Sequence, residues 1–166
     1  GIVESEISHD LVKVKLTDPY ALGLDIPLVV NGRALRINFI NTGVPHAVIF
    51  VDGLDSIDVV SLGQLIRNHA HFSPRGTNVN FVEITGNRSI AVRTYERGVE
   101  DETLACGTGS TAAALIFALR FGLDKKVVVL TKSRELLNIY FDRCDDRFRD
   151  VWLEGKASFV FKGTIL

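Results

Sequence analysis

The sequence of 166 residues has no methionine, one tryptophan, four prolines and only two cysteines. Cys106 and Cys144 lie in different settings, so we expect no disulfide framework and two free thiols. The chain also has no large excess of positive or negative charge, because the net charge is −1 and no long basic cluster occurs. This balance argues against a nucleic-acid partner and against binding to an anionic membrane surface.

Long apolar runs are missing as well. The most apolar stretch, residues 112–119, is far too short to span a bilayer. The opening residues GIVESEIS have neither the basic start nor the apolar core of a secretion signal. Together with the small number of cysteines, these features predict a cytoplasmic protein with no membrane partner.

Alternating apolar residues predict that most of the chain forms β-strands. A hairpin signal, residues 85–87, separates two of them. The predicted strands are residues 9–16, 34–40, 44–51, 78–84, 88–95, 126–131, 135–141, 150–155 and 157–163.

Two segments have helical patterns. Residues 56–69 place apolar side chains at helical spacing, with Asp55 or Ser56 as the N-cap. Residues 109–121 are apolar on nearly every face and are followed by Gly122, a stop signal. A helix that is apolar all round must be enclosed by protein. We therefore predict an α+β fold in which a curved, barrel-like, mostly antiparallel sheet wraps around a buried central helix.

Cys106 lies just before the predicted central helix and is followed by Gly107, Thr108 and Gly109. The first N–H groups of a helix have no internal partners, and the helix dipole is positive there. A thiol at this point is predicted to have a lowered pKa and to act as a base or nucleophile. The alternative, that Cys106 is only a small buried residue, stays open here. Cys144, in the polar segment DRCDDR, is expected to be structural.

Residues 95–102, YERGVEDE, are mostly acidic. Glu100 to Glu102 are predicted to be a solvated loop. Glu96 and Arg97, in contrast, directly follow a predicted strand. An arginine can bind a carboxylate through two hydrogen bonds, and a glutamate can bind an ammonium group. Together with the helix N–H groups, they suit a zwitterionic amino-acid substrate.

Other kinds of site fit poorly. The segment GTGSTA, residues 107–112, has the spacing of a dinucleotide-binding motif, but an acidic loop precedes it where that motif needs a strand. A phosphate-binding loop would need a lysine that is not present. His46, His69 and His71 are not spaced as metal ligands with Cys106, so no metal site is predicted.

The segments YERG (95–98) and ACGTG (105–109) resemble the second active-site motif of the diaminopimelate epimerase family. Three other segments resemble that family in the same order: NTGVPHAVIFV (41–51), FSPRGTNVNFVEI (72–84) and VWLEGKASFVF (151–161). Proline racemases share CGTG, but their usual lead-in is not YERG. The family has two similar lobes, each a sheet around a helix, and each lobe supplies one cysteine to the cleft between them.

The resemblance covers the C-terminal lobe only, because the Asn-Asp-Gly and Cys-Gly-Asn segments of the first cysteine motif do not occur. We therefore expect residues 1–166 to be one lobe, the C-terminal half of a two-lobed enzyme. Residues 1–8 and 156–166 are expected to be tail segments at the boundary with the missing N-terminal lobe. The chain alone is expected to be inactive, and an uncovered apolar face could allow a homodimer.

The resemblance implies inversion at the α-carbon, interconverting LL- and meso-diaminopimelate in lysine and peptidoglycan biosynthesis. One thiolate removes the α-proton while an opposing thiol delivers a proton to the other face, and no cofactor is used. A histidine beside the thiols is expected to favour the thiolate. The residues that the resemblance places at the site are Cys106, His46 and Glu96 for catalysis, and Asn78, Glu96, Arg97, Gly107 and Thr108 for substrate binding.

One position departs from the family's pattern. The family commonly has an asparagine that touches the substrate where this chain has Val44. Valine cannot make that hydrogen bond, so recognition of the distal end of the substrate is expected to differ. Two alternatives therefore stay open: a related racemase or isomerase for another amino acid, and a non-catalytic lobe that binds a carboxylate at the same helix N-terminus.

Overall fold

A computed structural model describes residues 2–164, which form one sheet of 11 strands and two α-helices. Positions 1, 165 and 166 of the predicted tail segments lie outside the described residues. The strands are β1 (Ser5–Ser8), β2 (Leu11–Lys15), β3 (Tyr20–Val30), β4 (Arg33–Asn41), β5 (Pro45–Phe50), β6 (Asn78–Gly86), β7 (Ser89–Glu96), β8 (Asp101–Thr103), β9 (Lys125–Leu130), β10 (Leu136–Cys144) and β11 (Arg147–Lys156). The helices are α1 (Val59–Arg67) and α2 (Gly107–Phe121), and 3-10 turns occur at Leu54–Ser56 and Ala70–Phe72.

The strand order is β1-β2-β11-β10-β9-β7-β6-β5-β4-β3, and β8 pairs with β7 outside this path. The pairs β5–β6 and β7–β9 are parallel, whereas the other pairs are antiparallel. The prediction of a mostly antiparallel, curved sheet is therefore confirmed. Among the described strands, the pairing has two ends, β1 and β3, so hydrogen bonds do not close the sheet into a barrel.

Helix α2 is the centre of the fold, as predicted. It packs against β4, β5, β6, β7, β9, β10 and β11, and every residue from Gly109 to Ala118 is buried. Its apolar side chains are removed from water on all sides, which stabilises the enclosing sheet. The helix ends where Gly122 adopts a left-handed conformation with φ of 64°. Within residues 2–164, no helix is both long and apolar enough to cross a membrane.

Helix α1 covers the other face of β6 and β7. It begins later than predicted, at Val59, because Asp58 is the N-cap and accepts a hydrogen bond from Ser61 N at 3.0 Å. Neither Asp55 nor Ser56 can serve as the cap. Both belong to a preceding 3-10 turn, in which Ser56 Oγ donates to Gly53 O at 2.7 Å.

The strand predicted over residues 157–163 is wrong. After Ala157 N donates to Asp10 O, the described chain finds no neighbouring strand to pair with. Phe159, Val160 and Phe161 are consequently at least 87% exposed. Their alternation resembles a strand, but a strand also needs a partner edge for its backbone hydrogen bonds. Strands β1, β3 and β8 were not predicted.

Candidate active site

Cys106 is the N-cap residue of α2 and has an extended backbone, with φ of −132° and ψ of 107°. Its carbonyl accepts a helical hydrogen bond from Ser110 N at 2.8 Å. A Cβ atom at Gly109 would lie 2.3 Å from Asn80 Oδ1 and 3.2 Å from Cys106 Sγ. Glycine is therefore required for the first turn of α2 to pack this closely against β6.

Side chains from the same region anchor the first turn of α2. Thr42 Oγ1 donates to Thr108 O at 3.1 Å, and Thr111 Oγ1 donates to Gly107 O at 2.9 Å. Thr108 Oγ1 lies 3.6 Å from Cys106 Sγ. The N–H groups of a first helical turn have no partner within the helix, so they are donors that an anion can use. Gly107 and Thr108 thus lie beside Cys106, while their binding of a carboxylate stays a prediction.

The predicted low pKa of Cys106 is wrong for this chain. Burial raises the pKa of the thiol above its ordinary value. Hydrogen bonding from Thr108 and Gly109 acts in the opposite direction, and the negative charge of Glu96 raises the pKa further. Cys106 is only 9% exposed, so loss of solvation outweighs the helix N-terminus. The protonated thiol is the form favoured at neutral pH.

His46 lies on β5 and is fully buried. Its Nδ1 is 3.1 Å from Asn80 Nδ2, whereas its Nε2 has no partner among the described residues. Burial lowers the pKa of His46 to about 3, and the positive charge of Arg97 acts in the same direction. The imidazole is therefore neutral at neutral pH. A neutral ring cannot favour a thiolate through positive charge, so the expectation that His46 favours one stays a prediction.

Two polar residues of the site were not predicted from the sequence. Asn80 Nδ2 donates to Ala47 O at 3.0 Å, and Thr94 Oγ1 donates to Asn80 Oδ1 at 3.0 Å. Asn80 is fully buried, and Thr94 is 3% exposed. The signal was available in the segment NVNF, because Asn78 and Asn80 are two apart and face the same side of a strand.

The predicted substrate-binding residues Asn78, Glu96 and Arg97 do lie together. Asn78 Oδ1 accepts from Arg97 N at 2.9 Å, and Asn78 Nδ2 donates to Pro45 O at 3.0 Å. Asn78 therefore ties the turn after β7 to the start of β5. Arg97 Nη1 donates to Arg75 O at 3.3 Å, and the rest of its guanidinium group is available for a ligand.

Glu100 shapes the turn that carries Glu96 and Arg97. Its carboxylate accepts from Gly98 N at 3.0 Å and from Arg67 Nε at 2.9 Å, and its N–H donates to Glu96 O at 2.8 Å. Hydrogen bonds from Arg67 are the main cause that lowers the pKa of Glu100.

The prediction of a solvated loop is correct for Glu100, which is exposed in a turn, but it is wrong for Asp101 and Glu102, because Asp101–Thr103 is strand β8. The Glu102 side chain is only 7% exposed. Arg93 and Lys132 form ion pairs with its carboxylate, so the negative charge is buried without being left unpaired.

A cleft of about 550 Å³ lies beside this group of residues. Its lining includes Val44, Pro45, Arg97, Phe39 and Phe72. Of the predicted site residues, only Arg97 reaches this cleft, and Cys106 lies outside its lining. The described residues include no group of three or more histidine, cysteine or acidic side chains that could hold a metal ion.

Comparison with known proteins places these features in a family context. The sequence model of diaminopimelate epimerase matches residues 38–160. The chain is 45% identical to the diaminopimelate epimerase of Aquifex aeolicus over 168 residues, covering 99% of this chain and 59% of that protein. It is 46% identical to the diaminopimelate epimerase of Hydrogenobaculum sp., with the same two coverages. The chain thus spans about 59% of the length of these relatives.

A solved structure has a similar fold at much lower sequence identity. The crystal structure of a hydroxyproline epimerase from Agrobacterium vitis, with bound trans-4-OH-L-proline, superimposes with a TM-score of 0.72 at 14% identity. The match covers 93% of this chain and 52% of that one.

Proposed function

The chain belongs to the diaminopimelate epimerase family, and from this premise we propose that it forms one half of an enzyme that interconverts LL- and meso-diaminopimelate. The observation that carries the proposal is the position of Cys106. Cys106 is the N-cap residue of a helix that is buried from Gly109 to Ala118, and it lies near a turn that presents Glu96 and Arg97. Asn80, the hydrogen-bond partner of the buried His46, packs against the same helix start. This arrangement places a group that can transfer a proton, the Cys106 thiol, close to hydrogen-bond donors that can bind a carboxylate.

The proposal includes a second lobe that supplies the opposing thiol. Inversion requires one group to remove the α-proton from one face and another to deliver a proton to the opposite face. This chain has one buried cysteine at a helix N-terminus, whereas Cys144 is exposed at the end of β10. We therefore expect residues 1–166 alone to lack turnover. Assembly as a homodimer stays a prediction.

Each residue has a proposed role in the reaction. Cys106, favoured as the protonated thiol, donates its proton to the α-carbon after a thiolate on the other lobe has removed the original proton. The N–H groups of Gly107 and Thr108 hold the reacting carboxylate and stabilise the negative charge that develops on it. Arg97 and Glu96 bind the carboxylate and ammonium of the distal end, and Asn78 holds the backbone of Arg97. No cofactor takes part, and the proposed setting is the cytoplasm.

A second candidate substrate is favoured by one observation. Val44 lines the same cleft as Arg97 and presents an apolar side chain there. Because valine offers no hydrogen bond, a polar distal group beside it gives up hydrogen bonds to water without replacement. An amino acid with a less polar distal end than diaminopimelate would therefore lose less free energy on binding there. The proton-transfer chemistry at Cys106 would be the same.

The test uses the whole gene product, its Cys106→Ser variant and a Cys144→Ser control. Each is incubated with LL-diaminopimelate in D₂O, and isomer composition and deuterium at the α-carbon are followed by mass spectrometry and chiral chromatography. We expect the parent and Cys144→Ser to form the meso isomer with α-deuterium, and Cys106→Ser to form none. A parent that exchanges the α-proton of another amino acid but not of diaminopimelate would favour the second candidate. Binding without any exchange would indicate a non-catalytic lobe.

A further inference from the structure

The side-chain amide of Asn80 donates to two acceptors at once. Its Nδ2 atom lies 3.0 Å from Ala47 O and 3.1 Å from His46 Nδ1. A backbone carbonyl can only accept a hydrogen bond, so Ala47 O determines which end of the Asn80 side chain carries the nitrogen. One N–H of the amide goes to Ala47 O, and the other points at His46 Nδ1. His46 Nδ1 must therefore be the acceptor.

The other end of the Asn80 side chain is also hydrogen-bonded. Thr94 Oγ1 donates to Asn80 Oδ1 at 3.0 Å, on the neighbouring strand β7. His46 and Asn80 are fully buried, and Thr94 is nearly so. Water does not compete for these hydrogen bonds, and a buried amide turned the other way would face Ala47 O with its own oxygen. The network thus leaves a single arrangement of donors and acceptors around His46 Nδ1.

We propose that Asn80 is a positioning residue that holds His46 as a neutral imidazole with its proton on Nε2, so that His46 serves the site as a hydrogen-bond donor and not as a proton acceptor. The inference rests on the proposed epimerase function and deepens it. Protonation of Nδ1 would place two donors against each other, and the nearby charge of Arg97 also opposes an imidazolium. Proton removal from the substrate is then left to a thiolate.

The Nε2–H group of His46 is left available to a ligand in this arrangement. It is buried and has no partner among residues 2–164. Such a donor gains a hydrogen bond when an acceptor enters the site. Asn80 lies against Gly109 and close to Cys106 Sγ, so the acceptor expected here is a carboxylate oxygen of an α-amino acid bound at the N-terminus of α2.

The test is nuclear magnetic resonance of the whole gene product with ¹⁵N-labelled histidine and asparagine at neutral pH. The His46 signals are assigned by their loss in His46→Gln. A nitrogen that carries a proton and one that carries a lone pair differ widely in ¹⁵N shift. We expect the lone-pair signature at Nδ1, the protonated signature at Nε2, and a coupling across the hydrogen bond from Asn80 Nδ2 to His46 Nδ1. A proton on Nδ1, alone or with one on Nε2, would overturn the proposal without any variant.

Variants then test the part played by Asn80. Asn80→Asp replaces the donor by an acceptor, so the proton of His46 is expected to move to Nδ1. Thr94→Val is the matched control, because it changes the same network without touching the ring, and the parent tautomer should persist. If Asn80→Asp does not fold, Asn80→Leu, which also removes the donor, is expected to lose the pure Nε2–H signature. An unchanged tautomer in a folded Asn80 variant would show that Asn80 does not set it.

These readouts are separate from turnover. If the parent does not act on diaminopimelate, the proposed function fails while the tautomer result stands. If the parent is active and His46 carries its proton on Nδ1, the proposed function stands and the inference about Asn80 fails.

Discussion

Arg93 and Glu102 form a two-pronged ion pair between β7 and β8. The distance from Arg93 Nε to Glu102 Oε1 is 2.7 Å, and the distance from Nη2 to Oε2 is 3.0 Å. The side chains are 18% and 7% exposed. Arg93 Nη1 also donates to Leu54 O and Ile57 O, at 2.9 and 3.1 Å. The pair thus links the strand that precedes α2 to the 3-10 turn that precedes α1.

Glu102→Gln is predicted to destabilise the protein by about 2 kcal/mol at neutral pH, the usual size for hydrogen bonds to a charged group. Burial acts to raise the pKa of Glu102, but hydrogen bonds from Arg93 and Lys132 outweigh it, so the pKa is lowered. A carboxyl group with a lowered pKa in the folded chain stabilises the fold at every pH above its ordinary, unfolded pKa. This stabilisation is lost as the pH falls through the pKa of the folded chain. Urea unfolding at neutral and acidic pH should show the difference between parent and variant shrinking in acid. Glu6→Gln, which removes an exposed pair with Lys13, is the control and should change little.

Cys106 is predicted to alkylate more slowly than Cys144 at neutral pH. The pKa of Cys106 is raised by burial, so little thiolate is present, whereas Cys144 is exposed. Iodoacetamide labelling of the chain, followed by peptide mass spectrometry, measures both sites in one sample. The rate at Cys106 should rise as the pH increases towards the raised pKa. Faster labelling at Cys106 than at Cys144 at neutral pH would contradict the raised pKa.

His46 is predicted to make the fold less stable as the pH falls from about 6.5 towards about 3. Its pKa is lowered to about 3 from an ordinary 6.5, so the unfolded chain binds a proton in this range while the folded chain does not. Stability is therefore complete above the ordinary pKa and falls by up to about 1.4 kcal/mol per pH unit below it. His46→Gln should have a flatter dependence of unfolding free energy on pH than the parent between about pH 3 and 6.5. Equal slopes in the parent and His46→Gln would contradict a buried neutral imidazole.

Gly109→Ala is predicted to destabilise the protein by about 1–3 kcal/mol, the usual cost of forcing a methyl group into a packed interior. The new Cβ would lie 2.3 Å from Asn80 Oδ1, so Asn80 or the helix start must move. Thermal unfolding measures the loss, and the His46 ¹⁵N signals report the shift of Asn80. Gly163→Ala, where a Cβ meets nothing within 4 Å, is the control. A Gly109→Ala protein with parent stability would contradict the close packing of α2 on β6.

The sequence predicted the centre of the fold better than its edges. Residues 109–121 are apolar on nearly every face, and this pattern has one structural solution, a helix enclosed by protein. Strand β3 could not be read in the same way, because half-exposed positions and the irregular pairing near Gly23 break its alternation. The strand prediction over residues 157–163 failed for the opposite reason. Its alternation of side-chain types is clear, but alternation does not supply a partner strand.

Within the site, the sequence predicted positions but not electrostatics. The family resemblance grouped Asn78 with Glu96 and Arg97, and the hydrogen bond from Arg97 N to Asn78 Oδ1 brings these residues together. The pKa values of Cys106 and His46 depend on how deeply each is buried and on which charge is near. Those quantities follow from packing between β5, β6 and α2, which are far apart along the chain.

The enclosure of α2 also determines when its N-terminus can form during folding. Four of the strands that surround the helix precede it in the chain, and three follow it. An isolated helix without a polar face is only marginally stable in water, so we expect α2 to persist only after both sets of strands have packed around it. These contacts join distant segments, which slows their formation. The buried environment of Cys106 is therefore expected to form only when both sets of strands are in place, so a chain in which either set is unfolded would expose the Cys106 thiol to solvent.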